Sequence, residues 1–222
     1  MRFLRSLVAV GALGALAALA PRAAQAQTDR EFENSWFWGL KTGPLRFRTN
    51  EETRTVGMLG GDWLITRKTG GLYVSFDMAN FQTQAKVEDS NAGGGFRLVD
   101  VNDLKRVSAA GVFFPVKYGI FRPYAGVGMS LDLLGDAFVV TDSTAVDQDT
   151  PDPTFVSTVD DRRSQIGLLF LAGAQAELKR LAAFAQASIE PNAGRFLIGR
   201  DPLFVVQVGL RWNVGTSIDR PH

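Results

Sequence analysis

The stretch IGLLFLAGAQAELKRLAAFAQASI, Ile166 to Ile189, decides the fold. Its Leu, Ala, Gln, Glu, Lys and Arg are good helix formers. Leu171, Ala174, Leu178, Leu181 and Ala185 also follow helical spacing. Yet the stretch alternates as well. Ile166, Leu168, Phe170, Ala172 and Ala174 share a strand parity. So do Ala183, Ala185, Ala187 and Ile189, set against Gln186, Ser188 and Glu190. The unbroken apolar run, Ile166 to Ala174, is shorter than the ~20 residues a membrane-spanning helix needs. Taken alone, the stretch permits one helix or two strands joined at ELKR.

Its surroundings favour strands. In DPLFVVQVGLRWNVG, Phe204, Val206, Val208, Leu210, Trp212 and Val214 fall on one parity. Val205, Gln207, Gly209, Arg211 and Asn213 fall on the other. That is a strand with two unlike faces. Leu72, Val74, Phe76 and Met78 alternate in the same way, as do Ala125, Val127, Met129, Leu131 and Leu133. Trp36, Trp38 and Leu40 alternate with Ser35, Phe37, Gly39 and Lys41. Leu59, Trp63 and Ile65 share a parity, and Ala110, Val112, Phe114 and Val116 form a less regular case. With two strands in the opening stretch, eight are expected, near 34–41, 53–66, 71–81, 104–116, 122–134, 163–176, 181–191 and 201–214. The connections around RKTG, KYGIF and ELKR read as short. Those over 42–52, 82–103, 135–162 and 192–200 read as long. Short turns on one side and longer loops on the other mark an up-and-down outer-membrane barrel. A helix at 166–189 would leave six strands with an unpaired edge, which a bilayer does not tolerate.

The ends and the composition fit a secreted protein. MRFLRSLVAVGALGALAALAPRAAQAQ has Arg2 and Arg5, a 14-residue apolar run from Leu7 to Ala20, and the small-residue site Ala24-Gln25-Ala26. This is the pattern of a secretory signal cleaved after Ala26, leaving a single domain over 27–222. Cleavage removes Arg2, Arg5 and Arg22, taking the net charge from +1 to −2, a balance that does not point to nucleic acid. There is no Cys, hence no disulfide. The single His, His222, is the last residue, which excludes catalytic triads and His-metal clusters. No cofactor motif is present.

Alternation alone does not say which face is outside. A soluble periplasmic barrel holding a lipid would put its apolar residues inward. Apolar-out is favoured because the other parity is rich in Gly, Ser, Ala and Asn, which fit a narrow lumen. It is also favoured because Trp36, Trp38, Trp63, Tyr118, Phe121 and Trp212 fall near the short-turn ends, where an aromatic girdle belongs. Phe204, Val206, Val208 and Leu210 are then lipid-facing.

The last strand carries the most specific signal. Gln207, Gly209, Trp212 and Val214 have the spacing of the assembly signal of outer-membrane proteins, although a Val stands in the terminal aromatic's place and GTSIDRPH follows. Over residues 34–214 the pattern resembles the small eight-stranded outer-membrane barrels of the OmpA and OmpX type. The resemblance implies an all-β, antiparallel, transmembrane barrel in the bacterial outer membrane. It also implies a strand read by the barrel-assembly machinery, and surroundings of membrane lipid and lipopolysaccharide. A monomer without catalysis is expected; enzymes of this family use a His. The eight residues after Val214 are too few for a peptidoglycan-binding module.

Three charged sets stand out. Asp62, Asp77, Glu190 and Arg211, continued by Glu177, lie on the inward parity. They are expected to form a lumen ion-pair network, with Arg211 near Glu177 or Asp62, that fills the barrel; a gate in a narrow pore is the alternative. The loop over 135–161 is acidic, with Asp142, Asp147, Asp149 and Asp152 as candidates for cation or partner contact. The first outer loop is expected to be basic through Lys41, Arg46, Arg48 and Arg54, suiting lipopolysaccharide phosphates.

Overall fold

A computed structural model describes residues 32–92, 95–135, 137–139, 151, 153–191, 196–199 and 201–216. The proposed signal peptide and the acidic set Asp142, Asp147, Asp149 and Asp152 lie outside the described residues.

The strands are β1 (Ser35–Arg48), β2 (Thr53–Thr66), β3 (Gly70–Glu88), β4 (Phe96–Phe113), β5 (Phe121–Leu134), β6 (Ala137–Val139), β7 (Ser164–Leu178), β8 (Leu181–Glu190) and β9 (Leu203–Thr216). A helix, α1 (Pro153–Asp161), precedes β7. Every pairing between them is antiparallel. β1 closes on β9 and β3 on β4, so eight long strands form a barrel without a free edge. β6 adds three residues to β4 above the end of β5.

The opening stretch is the β7–β8 hairpin. Phe170 pairs with Ile189 and Leu178 with Leu181, leaving Lys179 and Arg180 as the turn. Lys179 takes a left-handed φ of 57°, which suits the first position of a tight two-residue hairpin turn. Closure overrides the helical propensity of these residues because each backbone N–H and C=O then has a partner inside the wall.

Outward side chains form an apolar belt. Along β9, Leu210 is 59% exposed and Trp212 53% exposed, while Arg211 between them is 1% exposed. From Phe204 to Val214 the outward face spans ~34 Å of strand, which a tilt of about 40° projects to ~26 Å, close to the apolar band of a bilayer.

Several expected boundaries move. β1 runs to Arg48, so its connection to β2 shrinks to the four residues Thr49–Glu52, while β4–β5 takes seven. Loop length therefore does not alternate as expected; strand overhang does. The expected loop over 82–103 is mostly strand, with β3 and β4 pairing up to Glu88↔Phe96.

The overhang inverts the barrel's polarity. Up to Met78 the outward residues of β3 are Leu72, Val74, Phe76 and Met78, with Tyr73, Ser75 and Asp77 inward. Above a register shift between Ala79 and Gln82, Gln82, Gln84, Lys86 and Glu88 face out while Ala85 and Val87 are buried. On β4 the matching irregularity sits at Asp103, whose φ is 53°. Below it the inward parity passes from Val99 and Val101 to Leu104 and Arg106. The physics is that of the solvent: a wall in lipid hides its polar groups inside, and a wall in water hides its apolar ones.

Apolar-out also fails at the lower end of β4. Ala110, Val112 and Phe114 are buried inward and Phe113 points out. These inward residues belong to an apolar cluster at the short-turn end.

Candidate functional site

The interior has three layers. At the short-turn end, Phe32, Phe37, Leu64, Tyr73, Val112, Phe114, Tyr124, Leu169 and Leu171 form an apolar cluster. Phe32 sits against Phe114, with ring centroids 5.0 Å apart, edge to face. The Thr66 hydroxyl donates to the Phe32 carbonyl and holds it there. At the opposite end, below the overhanging β3–β4 hairpin, a second cluster gathers Leu45, Phe47, Met58, Val87, Val99, Val101, Leu104, Leu203 and Val205. Phe155 and Val159 of α1, with Phe196, Leu197 and Ile198, pack into it from above.

Between the two seals lies a charged layer. Its cations are Lys41, Arg106 and Arg211 and its carboxylates Asp62, Asp77, Asp132 and Glu190, while the pair Arg122 and Glu177 sits beside the short-turn cluster. Arg211 holds Asp62 with both prongs of its guanidinium, Nε to Oδ1 and Nη2 to Oδ2, each 3.0 Å. It also donates to Gln175 Oε1 at 3.1 Å and stacks on Phe184 with its central carbon 3.7 Å from the ring centre. Arg106 holds Asp132 at 2.5 and 2.7 Å and reaches Glu190 Oε2 at 3.0 Å. Ser130 and Gln165 donate to the same Glu190 carboxylate at 2.8 and 3.1 Å. Lys41 donates to Asp77 at 2.8 Å, Tyr73 Oη at 2.7 Å and Gln207 Oε1 at 3.2 Å. Arg122 lies 2.8 Å from Glu177 and caps the Phe32 ring at 4.0 Å.

Glycines let these pairs reach across a strand. Gly39 on β1 lies between its cross-strand partners Asp62 and Arg211. A Cβ there would stand 2.5 Å from Asp62 Oδ1 and 2.8 Å from Arg211 Cγ. Gly60 on β2 lies in the same way between Lys41 and Asp77, and a Cβ would stand 2.2 Å from Asp77 Oδ1. An alanine at either site would occupy the space through which the ion pair passes.

Asp62 and Arg211 meet directly. Asp77 goes to Lys41 and Glu190 to Arg106. Glu177 does not meet Arg211; it is held by Arg122, nearer the short-turn end. Lys41 is not in a basic outer loop, because it is buried in the lumen. Arg46 and Arg48 remain at the end of the β3–β4 overhang, and Arg54 pairs with Glu52 at 2.7 Å. Lys41, Arg106, Arg122 and Asp132 were absent from the expected network. Their inward parity was readable on β1 and β5. On β4 it was hidden because Ala110, Val112 and Phe114, the apolar residues that share the parity of Arg106, also face inward. Of the four assembly-signal residues, Gln207 faces the lumen and donates to Asp77 Oδ1 at 2.8 Å. Gly209 passes the Phe184 ring, and Trp212 and Val214 face outward.

A cavity of about 10 Å³ among Lys41, Tyr73, Asp77, Arg106, Gln186 and Gln207 admits roughly one water.

No family model matches the chain, and no curated protein matches it. Solved structures do. Neisserial surface protein A is similar with a TM-score of 0.50 at 12% identity, over 80% of this chain and 96% of that one. The fold is that of a small outer-membrane β-barrel. OprG of Pseudomonas aeruginosa has a TM-score of 0.49 at 10% identity, over 84% and 99% of the two chains. Ail of Yersinia pestis, the attachment invasion locus protein, crystallised with the heparin analogue sucrose octasulfate, has a TM-score of 0.48 at 13% identity, over 82% and 99%.

Proposed function

We propose that this chain is an integral outer-membrane barrel with a sealed lumen, which acts without catalysis, as a structural and surface-interaction protein, through the parts that project beyond the bilayer. The observation that carries this reading is the layered interior. A charged layer whose ions hold one another lies between two apolar clusters, and the cavity among Lys41, Asp77 and Arg106 has space for about one water. Opening a conduit would strand buried charges without partners, a state costing several kcal/mol per ion.

The projecting part is a built surface. The β3–β4 hairpin carries its own apolar interior above the lipid level, and Phe155 and Val159 of α1 pack into it. Such a rigid platform suits contact with lipopolysaccharide or a partner, with Arg46 and Arg48 among its exposed cations. Recognition of β9 by the assembly machinery through Gln207, Gly209, Trp212 and Val214, and a monomeric state, belong to the same proposal.

Planar-bilayer recording tests it. The reconstituted chain is expected to give no resolved single-channel steps. Stable unitary conductance would overturn the sealed reading in favour of a narrow pore.

A further inference from the structure

The tryptophans lie on one side of the barrel. All four tryptophans, Trp36, Trp38, Trp63 and Trp212, lie on the adjacent strands β2, β1 and β9 at the short-turn end. Trp38 is the cross-strand partner of both Trp63 and Trp212. Its ring centroid is 6.1 Å from that of Trp63, which lies 5.1 Å from that of Trp36. Tryptophans on the outer wall of a membrane protein mark the headgroup level.

Beside them the wall is indented. Trp38, Leu40, Leu181, Leu210 and Trp212 border an open apolar groove of about 690 Å³, shallow in side chains because Gly39, Gly209 and Ala183 also line it. The groove ends at a basic turn. Leu181 pairs with Trp212 and follows Arg180, whose carbonyl accepts the Asn213 N–H at 2.7 Å.

Two basic turns bracket this surface, Arg67-Lys68 after β2 and Lys179-Arg180 before β8, and all four side chains are exposed. Among the described residues none of the four has a carboxylate partner. The opposite end, where the β3–β4 hairpin overhangs, differs. There Arg48, Arg54, Lys86, Arg97 and Arg163 pair with Asp201, Glu52, Glu51, Asp89 and Asp160. At the turn end the one described carboxylate outside the lumen is Glu33.

We infer that this surface binds an anionic glycerophospholipid of the leaflet at the turn end. Its acyl chains lie in the groove between Trp38 and Trp212, and its phosphate faces Lys179 and Arg180. Arg67 and Lys68 extend the positive field on the far side of the tryptophans. The inference rests on the membrane-spanning reading above. Charge complementarity selects the headgroup, since unpaired Lys and Arg at the bilayer surface attract anionic lipid. The groove selects a lipid over a soluble polyanion, which would satisfy the cations and leave the apolar wall unused.

The tryptophans supply the assay. The barrel is refolded into phosphatidylcholine vesicles in which an equal fraction is replaced by acyl-brominated phosphatidylcholine or acyl-brominated phosphatidylglycerol. Quenching of Trp fluorescence reports which lipid lies in the groove. The brominated phosphatidylglycerol is expected to quench as though enriched roughly threefold. The enrichment should vanish in about 1 M salt, and also in the variant Arg67→Gln, Lys68→Gln, Lys179→Gln, Arg180→Gln. It should persist in Arg46→Gln, Arg48→Gln at the opposite end. These side chains are exposed, and retention of native electrophoretic mobility before heating shows that each variant folds. Equal quenching by the two lipids, or a preference that survives the four substitutions, would overturn the site while leaving the membrane reading intact. Quenching by neither lipid would sink the membrane reading and the site together.

Discussion

Replacing Arg106 with alanine is expected to destabilise the folded barrel by about 5 kcal/mol or more. The guanidinium makes two bonds to Asp132 and one to Glu190, and all three side chains are buried. Removing it leaves two carboxylates facing each other with no cation between them. That is worse than breaking a single buried pair, which costs about 3–5 kcal/mol. Urea-induced unfolding in phospholipid vesicles measures the loss. The triple variant Arg106→Met, Asp132→Leu, Glu190→Gln should recover most of it, because a cluster without net charge has nothing to strand. If Arg106→Ala unfolds within about 1 kcal/mol of the native chain, this cluster is hydrated and the lumen is not sealed there.

Arg211→Ala should cost about 3–5 kcal/mol by the same measurement. Its guanidinium holds Asp62 with two prongs and lies flat on Phe184, so ion pairing and stacking are lost together. Asp62→Asn in the same background should restore part of the loss, giving a coupling energy of about 1–3 kcal/mol in a double-mutant cycle. Additive single effects would mean that the two groups do not act as a pair.

Period-2 alternation was enough to find the wall. Ile166–Ile189 has good helix formers at helical spacing, and only the need for a closed edge turns it into the β7–β8 hairpin. Alternation also marks Asp62, Asp77, Glu190 and Arg211 as sharing an inner face. It does not say who pairs with whom, because pairing depends on stagger between strands far apart in sequence. Arg211 reaches Asp62 over Gly39, and Glu177 goes instead to Arg122. The overhanging hairpin was missed for a different reason. Gln82, Gln84, Lys86 and Glu88 alternate with Thr83, Ala85 and Val87, a readable strand pattern, but its polarity is opposite to that of the membrane segment. A rule of apolar-out applied along the whole chain discards that signal. The same rule misplaces Ala110, Val112 and Phe114, which are apolar and inward because they seal the lumen.

The central claim is that one parity of each strand faces lipid while the other lines a packed interior. The chain has no Cys, so single cysteines along 203–214 can each carry one spin label without background. Collision rates with oxygen, which partitions into lipid, are then measured for each labelled site in bilayers. The account predicts an alternation of period 2, with maxima at Phe204, Val206, Val208, Leu210 and Trp212 and minima at Val205, Gln207 and Arg211. A period of 3.6, no period, or maxima at Gln207 and Arg211 would contradict it.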